Sequence, residues 1–513
     1  MIARLLAGGA GMALAAAWLA PQPLAAPRSC EELASLSIPN GTVTLAQSVG
    51  AGTFSPTPAA SGVAAEGTPT TVSVARAFCR VAATLTPSSD SHIQIEVWMP
   101  ASDWNQKFQA VGNGAFNGTV AYPAMATAIG RGYATASTDT GHTGNTASFG
   151  LGHPEKVADF GWRAVHEMTV TAKRIVAAYY SQAPRWSYWN GCSAGGRQAL
   201  KEVQRFPADF DGVIAGAPGL DWTGRAAQAM RVATALEKTP ASRLLPPQRE
   251  LLHRAAVEAC DARDGVKDGL ISDPQRCPFD PAILQCKGSE TACLTSSQVE
   301  TARLIYSDGV AARGERRTAG LARGSELGWT DLGWTASARA TGNEQFRFLV
   351  FGDASWNPLT FDFESAIVRA DANDRDTINA LDPNIRAFLD RGGKLIQYHG
   401  WSDPQIAPGN SARYYERVAQ ELGGADRIHD AYRLFMVPGM GHCGGGDGPN
   451  TFDMVTALER WVEQRQAPDE IVASHAVRGV IDRTRPLCPY PQVAQYQGTG
   501  SIDEAAHFAC RMP

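Results

Sequence analysis

The sequence predicts an α/β fold with a parallel sheet, interrupted by a large inserted lid domain. Three observations lead there. Strand and helix patterns alternate from residue 93 to residue 216, as they do when helices cover a parallel sheet. The motif Gly191-Cys192-Ser193-Ala194-Gly195 has the G-x-S-x-G form of a nucleophile elbow and falls between a strand pattern and a helix pattern. The α/β pattern breaks near residue 220 and resumes near residue 394.

Taken in order, residues 69–135 read as strands and turns. Residues 93–99 alternate polar and apolar side chains, which predicts a half-buried strand. Residues 108–111 form a short apolar run ending in Gly112-Asn113-Gly114. Helical periodicity covers 165–180, a short strand follows at 186–189, a helix at 195–206 and a short buried strand at 213–216. The stretch 220–380 has weak strand signals, an acidic loop, two close cysteine pairs and a Gly/Trp-rich segment at 324–334. It reads as the lid, which leaves 27–219 and 381–513 for the catalytic domain. Residues 394–398 form a strand pattern ending in Gly400-Trp401-Ser402-Asp403. Residues 433–437 form another, ending in Gly439-Met440-Gly441-His442, and a helix is expected over 452–463. There is no internal repeat, and the only biased tract is the Ala/Gly/Thr/Pro-rich stretch 51–71.

A chain of 513 residues can bury a large core, and 44% hydrophobic with 19% charged residues is an ordinary globular composition. The net charge of −5 is spread without long runs, so no nucleic acid or anionic membrane is expected as a partner. Residues 1–26 read as an export signal. Arg4 precedes an apolar stretch at 5–20, and Ala25-Ala26 offers a small-residue cleavage region just before Pro27. A secreted or periplasmic location follows. No later stretch reaches the roughly 18 apolar residues of a membrane helix.

Ten cysteines in an exported chain suggest a disulfide framework. Cys260 and Cys277 flank one loop and Cys286 and Cys293 another. Cys488 and Cys510 would close the C-terminal tail, Cys30 and Cys79 the N-terminal segment, and Cys192 and Cys443 remain for each other. Sequence alone leaves the pairing open. Zinc ligation is the rival, disfavoured because no C-x-x-C pair is present. A Cys192–Cys443 bond would have a specific consequence, since Cys192 precedes Ser193 and Cys443 follows His442. It would hold the two backbones roughly 4.4–6.8 Å apart at those Cα atoms.

Ser193, Asp403 and His442 occur in the chain order of α/β-hydrolases, and each follows a strand pattern. The chemistry expected is acyl transfer. Ser193 attacks an ester carbonyl, His442 takes and returns the proton, and Asp403 orients the imidazole. The backbone amide of Ala194 is one oxyanion donor by the elbow rule, and Asn113 or Gly114 is the candidate for the second. A nucleotide-binding reading of Gly112-Asn113-Gly114 fails because Asn117 stands where a third glycine is needed.

The run from Asp261 to Leu270 places Asp261, Asp264 and Asp268 within eight residues, with glycines between. Hard oxygen ligands suit Ca²⁺, although the distal glutamate of an EF-hand is missing. The plain alternative is a solvated acidic turn. Trp329, Trp334, Phe346 and Phe348 are candidates for an aromatic substrate wall or for lid core. His399 is a candidate to face the pocket or to be a satisfied structural histidine.

These residues together resemble the tannase and feruloyl esterase family, which also holds terephthalate-monoester hydrolases. The resemblance rests on Gly191-Cys192-Ser193-Ala194-Gly195-Gly196, Tyr398-His399-Gly400-Trp401-Ser402-Asp403, Val437-Pro438-Gly439-Met440-Gly441-His442-Cys443 and Arg485-Pro486-Leu487-Cys488-Pro489-Tyr490-Pro491. It implies an α/β-hydrolase fold with a calcium-bearing lid, and the five cysteine pairs above. It also implies calcium held by the side chains of Asp261, Asp264 and Asp268 with the carbonyls of Val266 and Leu270. For substrate it implies a small aromatic ester, by default of feruloyl or galloyl type. A terephthalate monoester is the alternative. Arg339 lies near the place of that subgroup's carboxylate-binding arginine, but Asn343 and Glu344 stand where its aromatic and serine are expected, and Ala194 replaces an acidic residue. The remaining alternatives are a peptidase or amidase with the same triad, and a non-catalytic calcium-dependent binding protein.

Overall fold

The computed structural model describes residues 27–56, 71–288, 292–311, 314, 316–330 and 341–513. The expected export signal, Trp334, Arg339 and most of the 51–71 tract lie outside them. Nine strands form one mixed sheet: β1 (Gly41–Val49), β2 (Phe78–Leu85), β3 (Ile93–Pro100), β4 (Lys107–Val111), β5 (Ala134–Thr138), β6 (Trp186–Cys192), β7 (Gly212–Gly216), β8 (Lys394–Gly400) and β9 (Tyr432–Val437). Their spatial order is β1-β2-β3-β5-β4-β6-β7-β8-β9. The pairings from β1 to β5 are antiparallel, and those from β5 through β4 to β9 are parallel.

The parallel half follows from chain economy, since each crossover carries a helix. Helix α1 (Tyr122–Gly130) joins β4 to β5, α2 (Ala164–Tyr180) joins β5 to β6, and α3 (Ala194–Arg205) joins β6 to β7. Strands so covered are apolar on both faces: β5 and β7 are buried at every residue. All the parallel strands point the same way. The turns after β4, β6, β8 and β9 therefore gather at one edge, and those turns carry Gly112-Asn113-Gly114, Ser193, Asp403 and His442.

Between β7 and β8 the chain leaves the sheet. The insert is built from α4 (Trp222–Lys238), α5 (Pro246–Cys260), α6 (Ser296–Tyr306) and α7 (Phe363–Asp374), with a short ribbon pairing Gly309–Ala311 with Arg316–Thr318. It has cores of its own, one around Leu252, Phe279, Val299 and Trp329 and another around Met230, Phe346, Phe361 and Ile367. The sheet resumes at Lys394, at the residue where its pattern does. Helices α8 (Gly409–Leu422) and α9 (Met454–Gln464) follow β8 and β9. Among the described residues no helix is long and apolar enough to cross a membrane.

Strand β3 differs from its half-buried expectation. Of its eight residues only Gln94 is not fully buried. The face holding Glu96 and Trp98 is covered by an aromatic cluster of Phe54, Phe78 and Tyr122. A buried carboxylate needs donors, and Glu96 has four. Arg80 gives Nε at 3.0 Å and Nη2 at 2.5 Å, Trp98 gives Nε1 at 2.8 Å and Tyr122 gives its hydroxyl at 2.8 Å.

All ten cysteines are bonded, in the pairs Cys30–Cys79, Cys192–Cys443, Cys260–Cys277, Cys286–Cys293 and Cys488–Cys510. No cysteine is left for zinc.

Removing one partner of the buried Arg80–Glu96 pair leaves an uncompensated charge. Arg80→Met should cost about 3–5 kcal/mol of stability in equilibrium urea unfolding. The double replacement Arg80→Met/Glu96→Leu should recover much of that loss, because it removes the stranded charge as well.

Candidate active site

Ser193 sits in the turn between β6 and α3 with φ 64° and ψ −120°. Such a backbone is strained for a residue with a side chain, and it persists only where its surroundings hold it. Here the hold is tight. The Ser193 amide donates to the Gly216 carbonyl at 2.9 Å, and its carbonyl accepts from Arg197 N at 3.0 Å and Gly219 N at 3.1 Å. Side chains are excluded alongside. A Cβ on Gly191 would stand 2.6 Å from the Gly195 oxygen, and one on Gly112 2.5 Å from the Gly195 Cα.

The three residues singled out by motif and order come together. His442 Nε2 lies 2.9 Å from Ser193 Oγ, and His442 Nδ1 lies 2.7 Å from Asp403 Oδ2. Asp403 Oδ1 accepts from the amides of Gln405 at 2.8 Å and Ile406 at 3.0 Å. Burial would push the Asp403 carboxyl up. Hydrogen bonds from His399 and His442 outweigh it and hold the group well below the usual carboxylate range. The loop of His442 is irregular, with positive φ at Gly439, Cys443, Gly445 and Gly446. It is pinned by the Cys192–Cys443 bond, with the two Cα atoms 6.0 Å apart.

The Gly112-Asn113-Gly114 loop is tied to the elbow helix. Gly195 N donates to the Asn113 carbonyl at 2.9 Å, and Gln198 Nε2 donates to Asn113 Oδ1 at 2.9 Å. The Asn113 amide points at Gln198 Oε1, 3.4 Å away. Among the described residues the amides of Ala194 and Gly114 meet no acceptor. Of the two candidates for the second oxyanion donor, Gly114 therefore has the open amide.

Two supports of this loop carried no mark in the sequence reading. Gln198 lies one helical turn beyond Ala194, a spacing that could have flagged it. His142 lies between the strand-and-turn region 69–135 and the helix expected over 165–180, where no spacing marks it. Its Nε2 donates to the Phe116 carbonyl at 2.8 Å, and its ring stacks on Phe149 at 3.9 Å. Burial pushes His142 down to about 4.

Two expected substrate contacts are corrected. His399 does not face a pocket. It is fully buried, with Nε2 3.1 Å from Asp403 Oδ2 and 3.0 Å from the Ile406 carbonyl, and Nδ1 2.7 Å from Ser411 Oγ. It stands one residue from the end of β8, so its side chain points into the layer that α8 covers. Trp329 belongs to the insert's core, packed edge-on to Tyr306 and donating to Ser325 Oγ at 2.9 Å. Phe346 is also core. Beside the elbow Phe116, Phe160 and Trp222 form a buried aromatic cluster with Ala194, and of the three expected aromatics among the described residues only Phe348 packs against it. Asn343 and Glu344 are buried, with Glu344 accepting from the Ala147 amide at 3.1 Å. Beside His442 opens a cleft of 310 Å³ lined by His253, Leu270, Ile271, Ser325, Leu327 and Gln405 among others.

The acidic loop offers hard oxygens only. Asp261 and Asp264 are buried, and Gly265 and Gly269 adopt φ of 92° and 85° where the chain turns back. Asp264 is pushed up to about 6, first by burial, with the charges of Asp268 and Asp261 adding to it. Asp261 accepts from the amides of Asp268 and Gly269, and Asp268 is paired with Arg485. The three carboxylates do not all lie within 4.8 Å of one another. Crowded, buried carboxylates with no nitrogen or sulfur donor fit a hard divalent cation. A second group, His166, Glu202 and Asp209, does gather within 4.8 Å. There His166 Nδ1 lies 2.7 Å from Asp209 Oδ2, the Lys173 ammonium lies against the Asp209 carbonyl, and burial raises Glu202 well above its ordinary range.

The family model for tannase and feruloyl esterase matches residues 79–511. An uncharacterized esterase of Xanthomonas campestris pv. campestris is 37% identical over 94% of this chain and 91% of its own length. Feruloyl esterase B of Aspergillus niger is 33% identical over 84% of this chain and 86% of its own. The crystal structure of feruloyl esterase B from Aspergillus oryzae superposes with a TM-score of 0.87 at 30% identity, covering 94% of this chain and 99% of that one. Tannin acyl hydrolase from Aspergillus niger shares the fold, with a TM-score of 0.76 at 22% identity over 93% of each chain.

His142 gives the oxyanion loop a pH signature. Its ordinary value of 6.5 applies unfolded and about 4 folded, so the unfolded chain binds the extra proton between them. Stability from a neutral His142 is complete above pH 6.5 and is lost as pH falls toward 4. The stability advantage of wild type over His142→Gln should therefore be largest near pH 7 and shrink by roughly 3 kcal/mol by pH 4. Urea unfolding of both proteins across that range measures it.

Proposed function

The chain belongs to the tannase and feruloyl esterase family, and on that footing we propose that it is an exported serine esterase acting on aromatic carboxylic esters of feruloyl or galloyl type through an acyl-enzyme. That it is an ester hydrolase comes with the family. The serine mechanism is supported by one observation above all, the unbroken line from Ser193 Oγ through His442 to Asp403 at 2.9 and 2.7 Å.

Each group then has a task. Ser193 Oγ attacks the ester carbonyl as His442 Nε2 takes its proton. Charge develops on the carbonyl oxygen, opposite the open amides of Ala194 and Gly114 at the start of α3. The alcohol leaves with the proton returned from His442 Nε2, and a water, activated by the same nitrogen, releases the acid. Asp403 stays ionised and stabilises the imidazolium. The aromatic acyl group is proposed on the family's footing, with feruloyl esterase B of Aspergillus niger among the relatives. Export is supported by the charged-then-apolar layout of residues 1–26 and by five disulfides, which persist in oxidising compartments.

For the acidic loop we propose a structural Ca²⁺ held by Asp261, Asp264 and Asp268 with the carbonyls of Val266 and Leu270. Bound there, the ion would neutralise the crowded carboxylates. The loop matters to the site because Leu270 and Ile271 reach the cleft beside His442, while Arg483 and Arg485 tie Asp268 to the strand Val480–Leu487, which pairs with Ile471–Val477.

Ser193→Ala should fold and lose ester hydrolysis by a factor on the order of 10³ or more. The assay is a panel of methyl ferulate, methyl gallate and a terephthalate monoester. Near-wild-type rates for Ser193→Ala would remove Ser193 as the nucleophile, and turnover of the terephthalate monoester alone would move the substrate assignment.

Exhaustive chelation should lower the melting temperature, and calcium should restore it. At free calcium a hundred times Kd the stabilisation would be about 2.7 kcal/mol. Asp264→Asn should abolish the calcium-dependent increment. An unchanged melting temperature, with no calcium found by elemental analysis, would return the loop to a solvated acidic turn.

A further inference from the structure

Asp403 is held by more than its partner in the triad. Oδ1 is fixed by two backbone amides, those of Gln405 and Ile406. Oδ2 receives two imidazoles, His442 Nδ1 at 2.7 Å and His399 Nε2 at 3.1 Å. The second imidazole has no exposure at all, and neither does Asp403. His399 Nε2 faces a carboxylate oxygen and the Ile406 carbonyl at 3.0 Å, both of which only accept, so that nitrogen carries the hydrogen. On the opposite side Ser411, fully buried at the start of α8, places its hydroxyl 2.7 Å from Nδ1 and can donate to it. The two acceptors at Nε2 select the tautomer that presents Nε2–H to Asp403, and the hydroxyl anchors the ring from the other side.

We infer that His399 is a positioning residue for ester hydrolysis: its buried Nε2–H, oriented by Ser411, locks Asp403 Oδ2 in the place from which it aligns His442. The inference rests on the reading of Ser193, His442 and Asp403 as a catalytic triad. It follows from how the carboxylate is held. Without His399, Oδ2 would meet only the imidazole that it has to align, and a further donor from the strand beneath restrains the carboxylate about the Cβ–Cγ bond independently of His442. His399 lies on β8 and Asp403 on the turn leaving it, so the strand itself carries the brace. A hydrogen-bond donor of this kind touches no substrate. Its loss should appear in kcat and leave KM alone.

The test uses His399→Leu, His399→Gln and Ser411→Ala, each in wild type and in Asp403→Asn, with an activated aryl ester as substrate and melting temperatures as a folding control. His399→Leu should lower kcat by about ten- to a hundredfold, the range expected when a reacting group is misplaced by ~1 Å. KM should stay within about twofold, since substrate binding is untouched. His399→Gln, which keeps an N–H near the Nε2 position, should recover much of the loss. Ser411→Ala should lower kcat less, also at constant KM. In Asp403→Asn none of the three should lower kcat further, because residues that act as a unit are not additive. The inference is overturned by wild-type kcat in His399→Leu, by an effect confined to KM, or by an equal loss in both backgrounds. If His399→Leu does not fold, Ser411→Ala decides by the same criteria. Wild-type activity in Asp403→Asn would instead sink the triad reading itself. An inactive Asp403→Asn beside a fully active His399→Leu would sink only this inference.

Discussion

The site depends on a covalent tie between two turns that the sheet keeps apart. Ser193 follows β6 and His442 follows β9, with β7 and β8 between them. At roughly 4.8 Å per strand, three steps put those strand ends about 14 Å apart. For His442 to come within 2.9 Å of Ser193 Oγ, its loop must arch back across two strands. That loop is rich in positive φ, closes on itself through Gly441 N to the Gly445 carbonyl at 3.0 Å, and meets the Asp403 turn through Ser402 N to the Met440 carbonyl at 3.0 Å. The Cys192–Cys443 bridge fixes the residue before the serine to the residue after the histidine across a sequence separation of 251. A closure of that length restricts the unfolded chain by roughly 5.5 kcal/mol in the chain-entropy model. Asp403, on the turn after β8, then meets His442 part-way along its return.

The insert is arranged around the same edge. It leaves the sheet after β7, at the edge that carries Ser193 and Asp403, and returns to the start of β8 at the opposite edge. Trp222 at the start of α4 stands in the cluster that holds Ala194, and Ile271, Ser325 and Leu327 line the cleft next to His442. Its two internal cores and two short disulfide loops let it hold a shape without adding a strand to the sheet. The insert thus lines one side of the cleft while the sheet's edge supplies the polar groups.

How much of this was legible in the sequence follows from what local pattern can report. The strands β6 to β9 and helices α2 and α3 were legible to within a few residues, because period and turn chemistry are local. The order of Ser193, Asp403 and His442 at strand ends was legible for the same reason. Strand β3 was misjudged on one face: its alternation marks two different faces, and only tertiary packing covers Glu96 and Trp98 with Phe54 and Tyr122. His399 was open between pocket and core because a lone histidine at a strand end has no periodicity to place it. Trp329 and Phe348 look alike in sequence, yet one packs in the insert's core and the other beside Ala194. Which aromatic residues meet the elbow is decided by how the insert folds back, over distances no spacing rule spans.

Burial alone does not decide which carboxylate stays charged, and the buried acids of this chain show what does. Asp139 is pushed up to about 8, first by burial, although Oδ1 accepts from the amides of Gln94 and Gly141. Its Oδ2 has no partner. Glu202 is raised well above its ordinary range, first by burial and then by the nearby Asp209 carboxylate. Asp403 is buried as deeply, yet it receives four donors, two on each oxygen, and two of them are imidazoles. The difference in direction is a difference in donors, since each hydrogen bond to the charged form offsets part of the desolvation cost. The arrangement selects one carboxylate to remain an anion at the edge of the sheet. It is the one aligned with His442 and Ser193, where a fixed negative charge can stabilise an imidazolium.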